Sequence, residues 1–337
     1  MTETVLVTGI GGFIAKHLTA QLLAAGYAVR GTVRSPSRAE EVRLAMQAHG
    51  LSTDRLSFVT LDLERDAGWE EAARDCRFVH HVAAPFPLVQ PSDREALVPA
   101  ARDGALRVLK AASGAERILM TSSIAAMMYA PRAESRFTFG PEHWSDPEWS
   151  PNTPYVVAKT RAEQAAWAYM DEIGRREALT AINPGLVLGP PLDAHWGTSL
   201  DVVSMLIQGK YPAVPPVAFP IVDVRDVAAL HVKAMTAPVG GQRLLAAADT
   251  LSLSEMGQLL RTVLPQNAKR IPMQQLPLGL TRFLSLFDKS LATLKPDLGR
   301  YPVADSRLTT ELTGLSLRPA AEAIKAAALA LSGKTHY

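Results

Sequence analysis

The sequence lacks several features that would each place a protein in a particular class. One cysteine, Cys76, stands among 337 residues, so no intrachain disulfide can form, and a reducing compartment such as the cytoplasm is expected. No apolar run reaches the roughly 18 residues that a membrane span needs, and residues 1–4 lack the basic start of a signal peptide. The 35 basic and 33 acidic residues nearly cancel, which gives no reason to expect nucleic acid or an anionic membrane as a partner.

The first half of the chain contains a regular alternation of short apolar runs and helical patterns. The apolar runs are typical of β-strands and lie at 5–7, 28–33, 56–61, 78–82 and 118–120. Alternation of this kind implies right-handed crossovers and a parallel sheet that helices cover on both faces. We therefore predict a Rossmann-type α/β fold with a doubly wound parallel sheet.

The second half of the chain indicates a smaller unit. After the proline pair at 190–191 the composition shifts towards loops and prolines, and residues 221–237 then return to a strand and a helix. We predict that residues 1–190, with roughly 221–237, form the dinucleotide-binding domain. Residues 191–220 and 238–337 are predicted to form a C-terminal lobe that binds the substrate.

Tyr155 and Lys159 are four residues apart at the start of a predicted helix. Thr153 can cap this helix, and Pro154 suits its first position. At this spacing the two side chains share one face, with Cβ atoms roughly 6 Å apart. A nearby cation favours the phenolate form of a tyrosine, so the pair can act as an acid/base unit near neutral pH. A serine hydroxyl from segment 121–123 could hold a carbonyl oxygen beside them.

The first predicted strand runs into a glycine-rich turn that a helix follows. The pattern G-x-G-x-x-G fails here because Ile14 occupies the place of the third glycine. The pattern G-x-x-G-x-x-A fits through Gly9, Gly12 and Ala15. The two glycines would allow a tight turn and a close approach to a pyrophosphate, and the N–H groups at the helix start would attract its charge. The alternative is a strand-to-helix turn without a ligand.

The end of the second predicted strand indicates which dinucleotide binds. Proteins that bind NAD usually place an acid there, but residues 29–38 contain none. Arg34 could form charge-assisted hydrogen bonds to a 2′-phosphate, with help from Ser35, Ser37 or Arg38. We therefore predict NADPH rather than NADH as the cofactor. The alternative is that Arg34 is a solvated surface cation.

Stretches spread over residues 4 to about 236 match one known family. They include the motifs TGIGGFIA, HVAAP, TSS, YVVAKTRAEQAAW, NPGLVLGP and VDVRDVA, which begin at residues 8, 81, 121, 155, 183 and 222. The chain resembles the extended short-chain dehydrogenases/reductases. Within them it is similar to the branch of dihydroflavonol reductase, cinnamoyl-CoA reductase and the yeast-type aldehyde and ketone reductases. The C-terminal third matches only loosely.

The resemblance implies an NADPH-dependent reduction of an aldehyde or ketone to an alcohol. It assigns Tyr155 as the proton donor to the substrate oxygen, and Lys159 as the group that lowers the pKa of the phenol and binds the nicotinamide ribose. Ser123 would polarise the carbonyl while the nicotinamide delivers a hydride. These three residues are the predicted catalytic set.

The predicted binding residues form two further groups. Asp62, at the end of the third predicted strand, could accept a hydrogen bond from adenine or cap a turn. The residues predicted to bind the cofactor are Gly9, Gly12, Phe13, Ile14, Arg34, Asp62, Leu63, Ala83, Ala84, Thr121, Tyr155, Lys159, Pro184, Gly185, Leu186 and Val187. The residues predicted to line the substrate pocket are Phe86, Ala125 and Tyr129.

The chain departs from the family pattern near the cofactor. Ala84 stands where many relatives carry Thr or Ser, and Ala105 and Arg107 replace a common Thr and Asn, which puts a polar relay in doubt. No metal site is predicted, because His80 and His81 point to opposite faces of a strand and no acid or cysteine cluster joins them.

Other functions and assemblies remain open from the sequence. An NAD-dependent sugar-nucleotide epimerase or dehydratase and a hydroxysteroid dehydrogenase share the fold, although Arg34 speaks against the NAD-bound epimerases. A non-catalytic dinucleotide sensor is the third option, although such proteins often lose the Tyr or the Lys that this chain keeps. Relatives occur as monomers and as homodimers through the helix with Tyr155, and both states are possible here.

Overall fold

The computed structural model describes residues 2–84 and 91–333. Apolar runs form the strands, and several of them are buried along their whole length, as expected for parallel strands inside an α/β protein. The strands are β1 Thr4–Val7, β2 Ala28–Val33, β3 Leu56–Thr60, β4 Cys76–His81, β5 Arg117–Thr121, β6 Arg136–Phe139, β7 Leu179–Pro184, β8 Leu186–Leu188, β9 Ala218–Asp223, β10 Arg243–Ala246, β11 Asp249–Ser252 and β12 Tyr301–Ala304.

Seven of these strands form a parallel sheet in the order β10-β7-β5-β4-β1-β2-β3. The direction of winding reverses at β1, which lies between β2 and β4. Ligands of such sheets bind where the winding reverses, at the carboxyl ends of the strands. A second sheet has the order β11-β9-β8, and β12 pairs with β6.

Helices cover both faces of the large sheet. They are α1 Phe13–Ala24, α2 Pro36–Ala48, α3 Trp69–Ala73, α4 Val98–Ala111, α5 Pro154–Glu172, α6 Thr198–Gln208, α7 Val224–Ala234, α8 Leu253–Val263, α9 Leu278–Leu284, α10 Lys289–Thr293, α11 Arg307–Thr313 and α12 Ala320–Gly333. Helices α1 and α7 pack together on one face, and α4 and α5 on the other. Three short 3₁₀ turns complete the described elements, at Ile124–Ala126, Arg176–Ala178 and Pro265–Asn267.

The alternation of side chains along β1 divides the core into two layers. Val5 and Val7 belong to the cluster beneath α1 and α7, and Leu6 belongs to the cluster beneath α4 and α5. Successive residues of a strand point to opposite faces, so one strand supplies both layers. The two layers hold the carboxyl edge of the sheet between two rigid helical faces.

The predicted fold class is confirmed, and the main differences lie outside the large sheet. The segment 129–153, which looked irregular in sequence, contains β6, whose partner β12 follows more than 150 residues later. Strand β10 extends the large sheet although the predicted lobe begins at residue 238, so the domain division stays a prediction. Within residues 2–84 and 91–333, no helix is long and apolar enough to cross a membrane.

Candidate active site

The glycine turn between β1 and α1 has no side chain at Gly9, Gly11 or Gly12, which leaves space beside its backbone. Gly9 has a positive φ of 62°, and a Cβ added there would lie 2.8 Å from Ala83 Cβ. The Gly9 N–H donates to Thr32 Oγ1 at 3.0 Å, and the Gly12 N–H donates to the Gly9 carbonyl at 2.9 Å. Gly12 caps α1 without a side chain, so the first N–H groups of α1 are open to an anion.

Two arginines lie near the glycine turn, Arg34 directly after β2 and Arg38 in the first turn of α2. Arg34 is exposed, and Arg38 is half-buried with its Nη2 donating to the Gly11 carbonyl at 3.2 Å. Arg38 also pairs with Glu41 on α2. The hydroxyl of Ser35 caps α2 by accepting from the Arg38 N–H at 3.4 Å. Two guanidinium groups beside a glycine turn suit a phosphate next to a pyrophosphate.

A cleft of about 550 Å³ runs from this turn along the carboxyl edge of the sheet. The residues present fit a dinucleotide, because the space at Gly9 would be filled by any Cβ there and two arginines line the cleft beside the glycine turn. The predicted cofactor residues that line the cleft are Gly9, Gly12, Phe13, Ile14, Arg34, Leu63, Ala83, Ala84 and Val187.

Asp62 is not among the residues that line this cleft. Its Oδ1 accepts from the Glu64 N–H at 3.0 Å, and its carbonyl accepts from Trp69 Nε1 at 3.2 Å. The side chain therefore makes the turn-capping bond that was its alternative role, and contact with adenine stays a prediction. The neighbouring Leu63 is buried and lines the cleft.

Helix α5 presents Tyr155 and Lys159 to a cavity of about 30 Å³. Thr153 caps the helix by accepting from the Val156 N–H at 3.4 Å, and Pro154 is its first residue, as predicted from the sequence. Both functional side chains are partly buried. Thr121 lines the same cavity, as do the predicted cofactor residues Leu63, Ala83 and Ala84.

The small cavity and the long cleft share part of their lining. Ala83, Ala84 and Leu63 line both of them. The phenol and the ammonium of α5 therefore lie next to the space that continues to the glycine turn. The spacing in the sequence placed the phenol and the ammonium together, and only the family resemblance placed them near the glycine turn.

Ser123 is the second residue after the end of β5. Its hydroxyl accepts from the Ala125 N–H at 3.1 Å and caps the 3₁₀ turn Ile124–Ala126. The preceding Ser122 lines the small cavity, and its hydroxyl donates to Glu163 on α5. Ser123 is thus close in sequence to the Tyr155 cavity but is not among the residues that line it.

A buried ion pair lies behind the two serines. Glu163 is fully buried, pairs with Arg243 of β10 and accepts from Asn183 Nδ2 at 2.7 Å. The other bond from Asn183 Nδ2 goes to the Ser123 carbonyl at 3.0 Å. Sequence reasoning missed this network, although the charged residue one turn after Lys159 was a usable signal.

His81 connects the glycine strand to the α5 pair. Its Nδ1 lies 3.0 Å from Thr8 Oγ1, which also accepts from the N–H groups of Val82 at 3.1 Å and Ala83 at 3.0 Å. Burial, together with the positive charge of Lys159, lowers the pKa of His81 to about 3. The imidazole is therefore neutral at physiological pH.

Only one of the four cofactor residues predicted at 184–187 lines the cleft. Val187 lines it, whereas Pro184, Gly185 and Leu186 are not among its lining residues. A Cβ at Gly185 would lie 2.3 Å from the Pro220 carbonyl oxygen, so this glycine permits the close approach of the chain before β8 to β9. Contacts of these residues with a nicotinamide stay predictions.

The predicted substrate residues have different surroundings. The Tyr129 hydroxyl donates to Asp297 Oδ1 at 2.8 Å, which connects the loop after Ser123 to the segment between α10 and β12. Burial raises the pKa of Asp297 to about 7, against the opposing effects of the Tyr129 hydrogen bond and the Arg300 charge. Ala125 is buried with its carbonyl accepting from Ser145, and Phe86 lies outside the described residues.

Other elements contribute residues that sequence reasoning did not select. The start of α6 closes one side of the long cleft through Gly197, Thr198 and Ser199. A buried ion pair between Lys16 of α1 and Asp193 connects α1 to the segment before α6. In the described parts of the chain, no group of three or more His, Cys, Asp or Glu side chains is arranged to hold a metal ion.

Comparison with known proteins supports one family. The profile of the NAD dependent epimerase/dehydratase family matches residues 5–245. Cinnamoyl-CoA reductase 1 of Arabidopsis thaliana is 35% identical over 268 residues, which cover 78% of this chain and 76% of that protein. The NADPH-dependent methylglyoxal reductase Gre2 of Saccharomyces cerevisiae is 31% identical over 304 residues, which cover 82% of this chain and 87% of that protein.

Solved structures agree with the sequence comparison. The crystal structure of yeast methylglyoxal/isovaleraldehyde reductase Gre2 complexed with NADPH superposes with a TM-score of 0.80 at 26% identity, covering 99% of this chain and 100% of that one. Gre2 of Candida albicans in complex with NADPH gives a TM-score of 0.79 at 25% identity, covering 99% and 100%. The chain therefore belongs to the NAD dependent epimerase/dehydratase family, the extended short-chain dehydrogenases/reductases, in the branch that contains cinnamoyl-CoA reductase and the Gre2 reductases.

Proposed function

We propose that this protein reduces an aldehyde or ketone of moderate size to an alcohol with NADPH, and that Tyr155 donates the proton. The coarser statement, an NADP-dependent oxidoreductase of carbonyl groups, follows from relatives that are named as reductases. The observation that carries the finer proposal is that Tyr155 and Lys159 line a cavity that shares Leu63, Ala83 and Ala84 with the dinucleotide cleft.

When bound, the nicotinamide would supply the hydride. The protein would supply the proton and the charge that stabilises the group which gives the proton up. Tyr155 gives its phenolic proton to the substrate oxygen as that oxygen gains negative charge. Lys159 lies one helical turn away and stabilises the phenolate that remains, because an ammonium favours the charged form of a neighbouring acid. Both side chains are partly buried, and charge interactions are stronger at such positions than in bulk water.

Ser123 is suited to hold the carbonyl oxygen. Its Oγ accepts from the Ala125 N–H, so its own hydroxyl proton remains to be donated. Asn183 fixes the Ser123 backbone through the carbonyl bond at 3.0 Å. A hydroxyl that is held in this way polarises a carbonyl without reorganising during the reaction.

The cofactor preference rests on Arg34 and Arg38. Both line the cleft near the glycine turn, and no acid stands between residues 29 and 38 to accept from a ribose 2′-hydroxyl. The NAD-dependent epimerase alternative is less well supported because it needs such an acid. Gre2 structures from two yeasts contain NADPH, in agreement with this preference.

The test is turnover of purified protein with NADPH against a panel of aldehydes and ketones that includes methylglyoxal and isovaleraldehyde. Tyr155→Phe should lower kcat by about 10²–10⁴-fold, the range for loss of a positioned proton donor. Tyr169→Phe is the matched control, since Tyr169 lies on the same helix but packs in the core near Trp167. Its turnover should stay within twofold of the wild type.

The NADPH dissociation constant of Tyr155→Phe separates chemistry from binding. It should change only a few-fold, because the proposed loss is a proton rather than a binding surface. Full activity of Tyr155→Phe would remove Tyr155 as the proton donor. NADPH binding without turnover on the whole panel would favour the non-catalytic sensor.

A further inference from the structure

We propose that His80 and His231 act as positioning residues that turn the hydroxyl of Thr121 into a hydrogen-bond donor for an oxygen on the nicotinamide half of the bound dinucleotide. This inference rests on the proposed function only in placing the dinucleotide at the Tyr155 cavity. Thr121 ends β5 and lines that cavity, His80 lies on β4 and His231 lies on α7.

The three side chains form a continuous chain of hydrogen bonds. His80 Nδ1 lies 3.1 Å from His231 Nδ1, and His231 Nε2 lies 2.9 Å from Thr121 Oγ1. Both imidazoles are fully buried, with ring centroids 5.3 Å apart. The remaining nitrogen, His80 Nε2, is buried and has no hydrogen-bond partner in the described structure.

Burial keeps both rings neutral, so each carries a single proton. It lowers the pKa of His231 to about 3 and the pKa of His80 well below its ordinary value, to which the neighbouring His231 contributes. The protons can then be arranged in two ways, and the two arrangements have opposite donor-to-acceptor directions along the three hydrogen-bonded side chains. The bond that one nitrogen makes fixes the role of the other nitrogen of the same ring.

The unpartnered His80 Nε2 distinguishes the two arrangements. If Thr121 donated to His231, the proton on His231 Nδ1 would donate to His80 Nδ1, and His80 would carry its own proton on Nε2 without an acceptor. In the opposite direction His80 Nδ1 donates to His231, His231 Nε2 donates to Thr121, and His80 Nε2 is only an unused acceptor. Buried N–H groups without an acceptor are rarer in folded proteins than unused acceptors, so we take the second direction.

In that direction the Thr121 oxygen accepts from His231, and its proton remains for an acceptor at the carboxyl edge of the sheet, where Thr121 ends β5. Other hydroxyl and imidazole groups around the cavity have different partners, because Ser122 donates to Glu163 and His81 contacts Thr8. Ala84 supplies no hydroxyl from the opposite wall. A carboxamide or ribose oxygen of the dinucleotide is the acceptor that fits a hydroxyl proton at this wall.

The first test reads the protons directly in the full-length protein without ligand. Two-bond ¹H–¹⁵N spectra of protein labelled with ¹⁵N-histidine distinguish the tautomers, and loss of single signals in His80 and His231 variants assigns them. We expect the proton on Nδ1 of His80 and on Nε2 of His231, unchanged between pH 6 and 8 because both pKa values lie well below this range. A proton on His231 Nδ1 would overturn the proposal.

The second test measures NADPH binding by fluorescence titration, without a carbonyl substrate. Thr121→Val should raise the dissociation constant about 5–10-fold, as expected for one lost hydrogen bond, and Thr121→Ser should restore it. His231→Leu should match Thr121→Val, and the double variant should be no weaker than either single variant, because the residues act as one unit. His231→Gln keeps a donor near the Nε2 position and should recover most of the affinity.

Equal NADPH affinity of Thr121→Val and wild type would also overturn the proposal. Additive effects of Thr121→Val and His231→Leu would reduce His231 to a packing role. If His231→Leu does not fold, the comparison of Thr121→Val with Thr121→Ser and the tautomer spectra still decide. Failure of the proposed reductase function has a different signature, which is absent turnover with intact NADPH binding.

Discussion

Replacement of Gly9 by alanine tests the close approach that shapes the dinucleotide cleft. Gly9 has a φ of 62°, and the new Cβ would lie 2.8 Å from Ala83 Cβ and 3.0 Å from Ala83 Cα. The left-handed conformation costs about 1–2 kcal/mol for a residue with a Cβ. Relief of the contact requires movement of the Ala83 backbone, and overpacking of this kind costs about 1–3 kcal/mol more. We expect Gly9→Ala to lower the free energy of unfolding by about 2–5 kcal/mol.

Gly50→Ala is the matched control for backbone strain alone. Gly50 has a φ of 74°, is exposed, and has no atom within 4 Å of the position that its Cβ would take. Its substitution should therefore cost only about 1 kcal/mol, because the lower entropy of the unfolded chain offsets part of the strain. The difference between the two variants isolates the contact between Gly9 and Ala83.

Urea denaturation and NADPH titration provide the measurements. Movement of Ala83 displaces the wall that the long cleft and the Tyr155 cavity share, so Gly9→Ala should also weaken NADPH binding at least tenfold. Gly50→Ala should bind NADPH as the wild type does. Equal stability of the two variants together with unchanged NADPH affinity of Gly9→Ala would refute the argument, because the chain would then have room for the methyl group.

Two further substitutions address charge. Arg34→Ala should raise the dissociation constant for NADPH by about 10–100-fold, the loss expected for charge-assisted hydrogen bonds, and should leave that for NADH unchanged. The control is Arg43→Ala on α2, whose guanidinium stacks on Phe58; this variant should alter neither constant. Equal losses for both dinucleotides would contradict the assignment. Burial raises the pKa of Asp297 to about 7, so the free energy of unfolding of the wild type should fall as the pH rises from about 4 to 7 and stay low above pH 7. Asp297→Asn should lack this fall, so urea unfolding should show the variant gaining roughly 2–4 kcal/mol relative to the wild type between pH 5 and pH 8. A difference that does not depend on pH would contradict a buried carboxyl that ionises in this range.

The parts of the site that sequence reasoning found are local in the chain. Gly9 and Gly12 are recognisable because a turn between a strand and a helix needs residues that bring backbone near a ligand. Tyr155 and Lys159 are recognisable because one helical turn fixes their relative position. Thr153 as a cap and Pro154 as the first helical residue follow from the same short stretch, and the structure has α5 beginning there.

The parts that sequence reasoning missed depend on contacts between distant segments. Asp297 is 168 residues from Tyr129, and nothing in the local pattern near 297 indicates that its carboxyl accepts from that phenol. Strand β6 was missed for the same reason, since β6 has only β12 as a partner in its sheet. Pairing over such separations is set by the packing of the whole molecule rather than by local propensity.

The site residues therefore fall into two classes with different physical origins. Groups that would touch the dinucleotide sit on short local motifs. Groups that would hold those motifs in place, such as His231 beneath Thr121 and Arg243 beside Glu163, come from elements more than 70 residues away. A single sequence shows the first class through spacing, and only the folded chain shows the second.

The buried Glu163–Arg243 pair illustrates why the second class is present. Removing two charges from water costs several kcal/mol per ion, so such a pair contributes little net stability. Its value lies in the segments that it joins, because Arg243 also donates to the carbonyls of Pro141 at 2.8 Å and His143 at 2.6 Å, while Glu163 accepts from Ser122 and Asn183. Each bond fixes a segment that leads to Ser123 or Tyr155. Hydrogen bonds are directional, and apolar contacts in the same place would not fix the orientation of these segments. The network therefore fixes the segments that carry the proposed catalytic residues and adds little to the stability of the fold.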